Sequence, residues 1–140
     1  MPHVEAYRQL VEARAGGACE YCRLLQAATG VTFHIEHFVP RSQDGPTVMG
    51  NLLLSCPGCN LAKAARTVGK DDDGNDQPLF NPREYEPWAL GWHLHFALAR
   101  DTGLILPRTP IGQATVNALR MNDARRVFAR KLQISVGLIA

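Results

Sequence analysis

His34-Ile35-Glu36-His37 and, twenty-three residues after His37, Asn60-Leu61-Ala62-Lys63 bracket the stretch that decides the reading of this chain. Between them stand Asn51-Leu52-Leu53-Leu54-Ser55 and Cys56-Pro57-Gly58-Cys59, and just upstream stands Cys19-Glu20-Tyr21-Cys22. Residues 32–39 have strand composition and are stopped by Pro40. Gln43-Asp44-Gly45-Pro46 is a loop signal. Residues 51–55 form a second short strand candidate. Residues 60–66, rich in alanine, read as a helix that needs tertiary support at that length. The predicted order is therefore strand, loop, strand, helix, with a Cys-x-x-Cys turn before each half.

Cys19/Cys22 and Cys56/Cys59 are separated by 33 residues and use up all four cysteines of the chain. Each Cys-x-x-Cys turn brings two thiolates to one side, and two such turns supply the tetrahedron that zinc prefers. Four thiolates leave no open position for water, so the expected role is structural. A small core broken by polar loops benefits from such a staple. Buried or redox-active thiols are the competing reading.

Glu36-His37 offers a carboxylate and an imidazole at a strand end, pointing to opposite faces. Asn60 adds an amide oxygen. Hydrolysis of a phosphodiester needs an activated water, a cation for the developing charge and a frame that holds both. Magnesium accepts carboxylate and amide oxygens while retaining several waters. Each residue alone has a plainer reading: a strand end for Glu36-His37, turn and cap residues for Asn51 and Asn60, a solvated helix residue for Lys63.

Taken together, His34-x-Glu36-His37, Asn51 fourteen residues later and Asn60 nine further on resemble the HNH endonuclease motif of the ββα-metal fold. The flanking Cys-x-x-Cys pairs resemble its zinc-stapled, four-cysteine subclass. The likeness is close from Cys19 to Arg66. It runs on more loosely through Leu79-Phe80-Asn81-Pro82-Arg83 and Thr109 to Val116, which look like the tail of small stand-alone bacterial or phage members. The resemblance implies that His37 is the general base and that Glu36, where the family usually has Asp, ligates a catalytic cation together with Asn60. Magnesium or manganese is expected there, with another transition metal as an alternative. Asn51 is implied to tie the loop so that His37 is oriented. Lys63, Arg41 and His34 are candidate nucleic-acid contacts, with a further metal ligand or packing beside the zinc as the other roles for His34.

The flanks are read from periodicity. Val4, Tyr7, Leu10, Val11 and Arg14 recur at helical spacing, ended by Gly16-Gly17. Residues 70–76 form a polar loop that lacks the calcium-loop pattern. Residues 92–98 alternate as a strand, and Asp101-Thr102-Gly103 turns it into Leu104-Ile105-Leu106 as a hairpin. His93 and His95 on that strand are packing or surface residues. Thr109-Pro110 starts a helix. Ile111, Ala114, Thr115, Ala118 and Leu119 are its inward residues. Asn122 or Asp123 caps a last helix with Val127, Phe128 and Leu132 inward and Arg125, Arg126 and Arg130 outward.

Net charge is +2, but it is unevenly spread. Residues 1–103 carry 9 Lys/Arg against 12 Asp/Glu, and residues 104–140 carry 6 against Asp123 alone. Such a basic tail suits phosphates or an ordinary solvated helix face about equally. No apolar run approaches the roughly 18 residues that span a bilayer. The start of the sequence lacks a basic region followed by an apolar one, so no leader is expected. A cytoplasmic location with reduced thiols follows as an expectation.

The expected architecture is α+β: a zinc-stapled ββα-metal core with an N-terminal helix over residues 1–70, and a hairpin with helices over residues 71–140 packed on it. The expected function is metal-dependent hydrolysis of DNA, with RNA not excluded, by a monomer or weak homodimer. A non-catalytic zinc module that grips nucleic acid is the first rival. A structural or partner-binding zinc protein is the second.

Overall fold

The computed structural model describes residues 3–139. Its centre is the expected strand–strand–helix unit. β1 (His34–His37) pairs antiparallel with β2 (Leu52–Ser55), with Glu36 opposite Leu53 and His37 opposite Leu52. Leu52, Leu53 and Leu54 are wholly buried, so β2 is covered on both faces and needs no polar alternation. α2 (Pro57–Lys63) follows at once. It begins three residues earlier than its alanine content suggests, because Cys56 caps it: the sulfur accepts from the Cys59 backbone N–H, and Pro57 fills the first turn where no donor is missed.

α1 (Arg8–Ala15) is preceded by a 3-10 turn over Val4–Tyr7 and ends where Gly16 and Gly17 turn left-handed at φ +66° and +71°. Their N–H groups return to the carbonyls of Ala13 and Glu12, closing the helix end. Val11 and Ala15 face the core, whereas Leu10 lies on the solvent side. Arg14 covers apolar surface and donates to the carbonyls of Met49 and Leu52, which ties α1 to the start of β2.

The polar loop expected over residues 70–76 is the turn of a hairpin, whose unexpected strands are β3 (Val68–Lys70) and β4 (Asp76–Pro78). Asp71 holds its turn, accepting from the N–H groups of Asp73 and Asn75 and from the Gln77 amide. The alternation at 92–98 is also misleading. α3 (Trp88–His95) occupies most of it, and only β5 (Phe96–Leu98) is extended, pairing with β6 (Ile105–Pro107). Gly91, Trp92 and His95 are the residues α3 buries, a helical spacing hidden within an apolar run. Gly91 is required there: a Cβ would stand 2.2 Å from the Tyr85 ring.

α4 (Pro110–Leu119) is capped by Thr109, whose hydroxyl accepts from Gly112 N–H, and it packs against β3, β4, β6 and α2. Ala114, Thr115 and Leu119 are buried. α5 (Ala124–Ser135) keeps Arg125 outside and Val127 half-buried as expected, but departs from its expected faces elsewhere. Phe128 and Leu132 are exposed, whereas Arg130 is wholly buried. The reason is unpaired backbone: the Arg130 guanidinium donates to the carbonyls of Gly103 and Met121 and to Asn122 Oδ1. An apolar residue there would leave the Gly103 and Met121 carbonyls without that donor, whereas Asn122 Oδ1 would keep the Ile105 N–H. One buried cluster runs from Val11 to Met121, through the central unit and the β5–β6 hairpin. Among the described residues no helix is long and apolar enough to cross a membrane.

Candidate active site and zinc centre

The two Cys-x-x-Cys turns meet. All four sulfurs are buried and lie within 4.8 Å of one another, with Cys22 Sγ 3.6 Å from Cys56 Sγ. Zinc–sulfur bonds of about 2.3 Å in a tetrahedron place sulfurs roughly 3.8 Å apart, so the cluster has the right size. The Cys22 and Cys59 N–H groups point at the sulfurs of Cys19 and Cys56, as in a knuckle that curls around its ion. Burial pushes the Cys19 and Cys59 thiols up from their ordinary value. A divalent cation is what lets such a packed set ionise together. Arg126 adds positive charge, with Nη1 3.0 Å from Cys59 Sγ. The donor set fits a structural zinc.

The knuckle also reaches the second site. Tyr21, wholly buried between Cys19 and Cys22, donates its phenol to Glu36 Oε2 at 2.8 Å. The other oxygen, Glu36 Oε1, is buried without a hydrogen-bond partner. Burial pushes the Glu36 carboxyl up to about 7, against the opposing pull of Lys63 and the Tyr21 hydrogen bond. A buried carboxylate with one oxygen held and one unpartnered fits a cation ligand.

Lys63 is placed differently from the expectation of a phosphate contact. It is wholly buried, and Nζ donates to the Phe38 carbonyl at 2.9 Å. Its charge sits in the field of Glu36, so it balances the carboxylate rather than facing solvent. This contact sets the same face of α2 over the end of β1. Asn60, one turn before Lys63, lies on that face and is half-buried.

His37 is more exposed than Glu36, as expected for neighbours on opposite strand faces. Its Nε2 lies 2.8 Å from Thr47 Oγ1, and Nδ1 makes no hydrogen bond among the described residues. Burial, with a smaller contribution from the Arg41 charge, lowers the His37 pKa below its ordinary value. The imidazole is therefore neutral at pH 7. Asn51 braces the loop that carries Thr47. Its side chain accepts from Val39 N–H and donates to the carbonyls of Val39 and Pro46, each at 3.0 Å. Gly45 permits this tight loop, since a Cβ would stand 1.7 Å from the Val39 carbonyl oxygen. Arg41 is exposed in the turn after Pro40. His34 is exposed at the start of β1, opposite Ser55.

Residues 19–66 match the family model described as HNH endonuclease. The resemblance carried by Glu36-His37, Asn51, Asn60 and the cysteine pairs is thus shown for this segment, which gives it a nuclease or nucleic-acid-binding role. The match ends at Arg66, so the outer hairpins and α3 to α5 lie beyond the HNH segment. No curated protein and no solved structure matches the chain.

Three residues near these sites escaped the sequence reading. Tyr21 had one available signal, an aromatic enclosed between two metal-ligand candidates. Thr47 had none beyond a hydroxyl in a loop. Arg126 was placed on the outer face of α5, yet it turns inward to the Cys59 sulfur and the Leu119 carbonyl.

Proposed function

We propose that this chain is an HNH endonuclease that hydrolyses phosphodiester bonds in DNA, using a divalent cation held by Glu36 and Asn60 and a structural zinc held by Cys19, Cys22, Cys56 and Cys59. The observation that carries the proposal is Glu36 Oε1, a buried carboxylate oxygen without a partner, one residue before His37 on β1. When bound, magnesium or manganese supplies positive charge to the scissile phosphate and the leaving 3′ oxygen.

The protein's own part begins at His37. With Nε2–H donated to Thr47 Oγ1, the lone pair sits on Nδ1 and takes a proton from the attacking water. The water oxygen attacks phosphorus as the bond to the 3′ oxygen breaks, leaving a 5′ phosphate and a 3′ hydroxyl. Asn51 holds the loop and so the orientation of the imidazole. Arg41, exposed beside His37, is the substrate-phosphate contact in this reading. Lys63 compensates the Glu36 charge.

The burial of Glu36 also supports a second reading, a zinc module that grips nucleic acid without cutting. Incubating the zinc-loaded chain with an end-labelled duplex and manganese separates the two. Products that a DNA ligase can rejoin carry the 5′ phosphate of the proposed reaction. Retardation of the duplex with no cleavage favours the binding module.

A further inference from the structure

A groove of about 600 Å³ runs between α2 and the turn that joins α4 to α5. Arg66, Arg120, Arg125 and Arg126 line it against one carboxylate, Asp123. None of these arginines is in a salt bridge among the described residues. The HNH match covers only the α2 side, and three of the four arginines come from residues 104–140.

The arginines divide by their partners. Arg126 forms the floor. It crosses α2 at Gly58, where a Cβ would stand 3.0 Å from its Nε, and Nη2 donates to the Leu119 carbonyl at 2.8 Å. Arg66 closes one end, donating to the carbonyls of Ala62 and Ala118 at 2.6 and 2.9 Å. Arg120 and Arg125 are exposed, and their side chains make no hydrogen bond among the described residues. Two charges are therefore fixed and two are free to reach a ligand.

We infer that this groove binds the phosphate backbone of duplex DNA, with Arg120 and Arg125 contacting phosphates and Arg66 and Arg126 supplying fixed positive charge. The choice of ligand rests on the DNA-cleaving reading above. Charge complementarity points the same way. The inner guanidiniums spend donors on carbonyls, so they act mainly through their field, which suits a polyanion with one charge per roughly 1.7 Å of axis. Leu61, 82% exposed on the groove wall, offers an apolar contact to sugar faces. Leu61 follows Asn60 directly, about 100° around the same helix, so a backbone seated in the groove runs alongside the proposed cation ligand.

The test is fluorescence anisotropy of a labelled mixed-sequence duplex with the zinc-loaded full chain carrying His37→Ala, without added magnesium or manganese so that the duplex stays intact. The salt dependence is compared with and without Arg120→Gln/Arg125→Gln. Two lost phosphate contacts should lower the slope of log K against log salt by about 1.8. Zinc content and melting temperature should not move. If the double variant fails to fold, Arg125→Gln alone, at an exposed position in the first turn of α5, should lower the slope by about 0.9. An unchanged slope in a folded variant whose parent binds overturns the groove assignment and leaves the nuclease reading intact. Arginine-dependent binding of an RNA hairpin but not of the duplex overturns the choice of partner. No duplex binding by the parent at low salt overturns the groove, and plasmid cleavage by the wild type then shows whether the nuclease reading falls with it.

Discussion

Tyr21→Phe removes one oxygen from a wholly buried ring and leaves its volume in place. In the wild type that oxygen donates to Glu36 Oε2 at 2.8 Å, and Glu36 Oε1 is already without a partner. The variant therefore leaves the whole carboxylate without a hydrogen bond from the phenol. A hydrogen bond to a charged group contributes about 1.5–3 kcal/mol, whereas one to a neutral group contributes about 0.5–1.5 kcal/mol. The carboxyl is pushed up to about 7 by burial, so the metal-free protein holds it partly protonated and loses the smaller amount. Cation binding requires the ionised form and loses the larger amount; the difference between the two losses, about 1–1.5 kcal/mol, is roughly tenfold in affinity, at the low end of the usual effect of deleting a partner of a metal ligand. The assay is manganese binding to the zinc-loaded chain, followed by the electron paramagnetic resonance signal of free manganese, with zinc per chain measured in parallel. Weaker manganese binding with full zinc content and a small change in melting temperature is the expected result. Manganese affinity within about twofold of wild type, with zinc intact, would refute the reasoning that Tyr21 positions a ligating Glu36.

Cys56→Ser should lose the metal while its hydroxyl can still cap α2, and with zinc binding worth about 10–16 kcal/mol in small peptides the core should unfold; zinc analysis and circular dichroism check it, and a folded, metal-free variant contradicts the zinc assignment. Arg130→Met should leave the buried Gly103 and Met121 carbonyls without their donor, at about 1 kcal/mol or more each, lowering Tm by roughly 6 °C for a chain of this size; an unchanged Tm contradicts the role given to those carbonyls. His95 is buried, with Nε2 against Tyr85 Oη at 2.8 Å and Nδ1 against Thr109 Oγ1 at 2.6 Å. Burial pushes its pKa below the ordinary value, against a smaller upward pull from Glu84. Above about pH 6.5 it is neutral in both states; below that the unfolded chain takes the proton first, so stability falls as pH drops through the ordinary value toward the folded one. Urea denaturation between pH 7 and 5 should show that loss, and His95→Gln should lessen it.

The central unit was legible because its signals agree at several levels. Pro40 stops β1, the Asn51–Ser55 run has strand composition, and the cysteine spacing demands a turn at each knuckle. Asn51 could be assigned to the loop before any contact was known. The rest failed where tertiary partners override a local pattern. The Trp92–His95 part of the alternating run belongs to a helix because Gly91 must accommodate Tyr85 and the Trp92 indole N–H must reach the Tyr21 carbonyl at 2.7 Å. On α5 the expected outward Arg130 lies inside, and Phe128 and Leu132 outside, because buried carbonyls need Arg130. Lys63 has the spacing of a surface residue, yet the charge of Glu36 and the Phe38 carbonyl draw it inside. Neither carbonyls nor counter-charges are visible in hydrophobic periodicity.

Cleavage of supercoiled plasmid by the zinc-loaded chain, with magnesium or manganese, compared with His37→Ala and an EDTA control, tests the central claim most directly. The account predicts metal-dependent relaxation or linearisation by the wild type alone. Equal cleavage by His37→Ala contradicts the assignment of the base. No cleavage by either, on plasmid and on single-stranded or branched DNA, contradicts the nuclease reading itself.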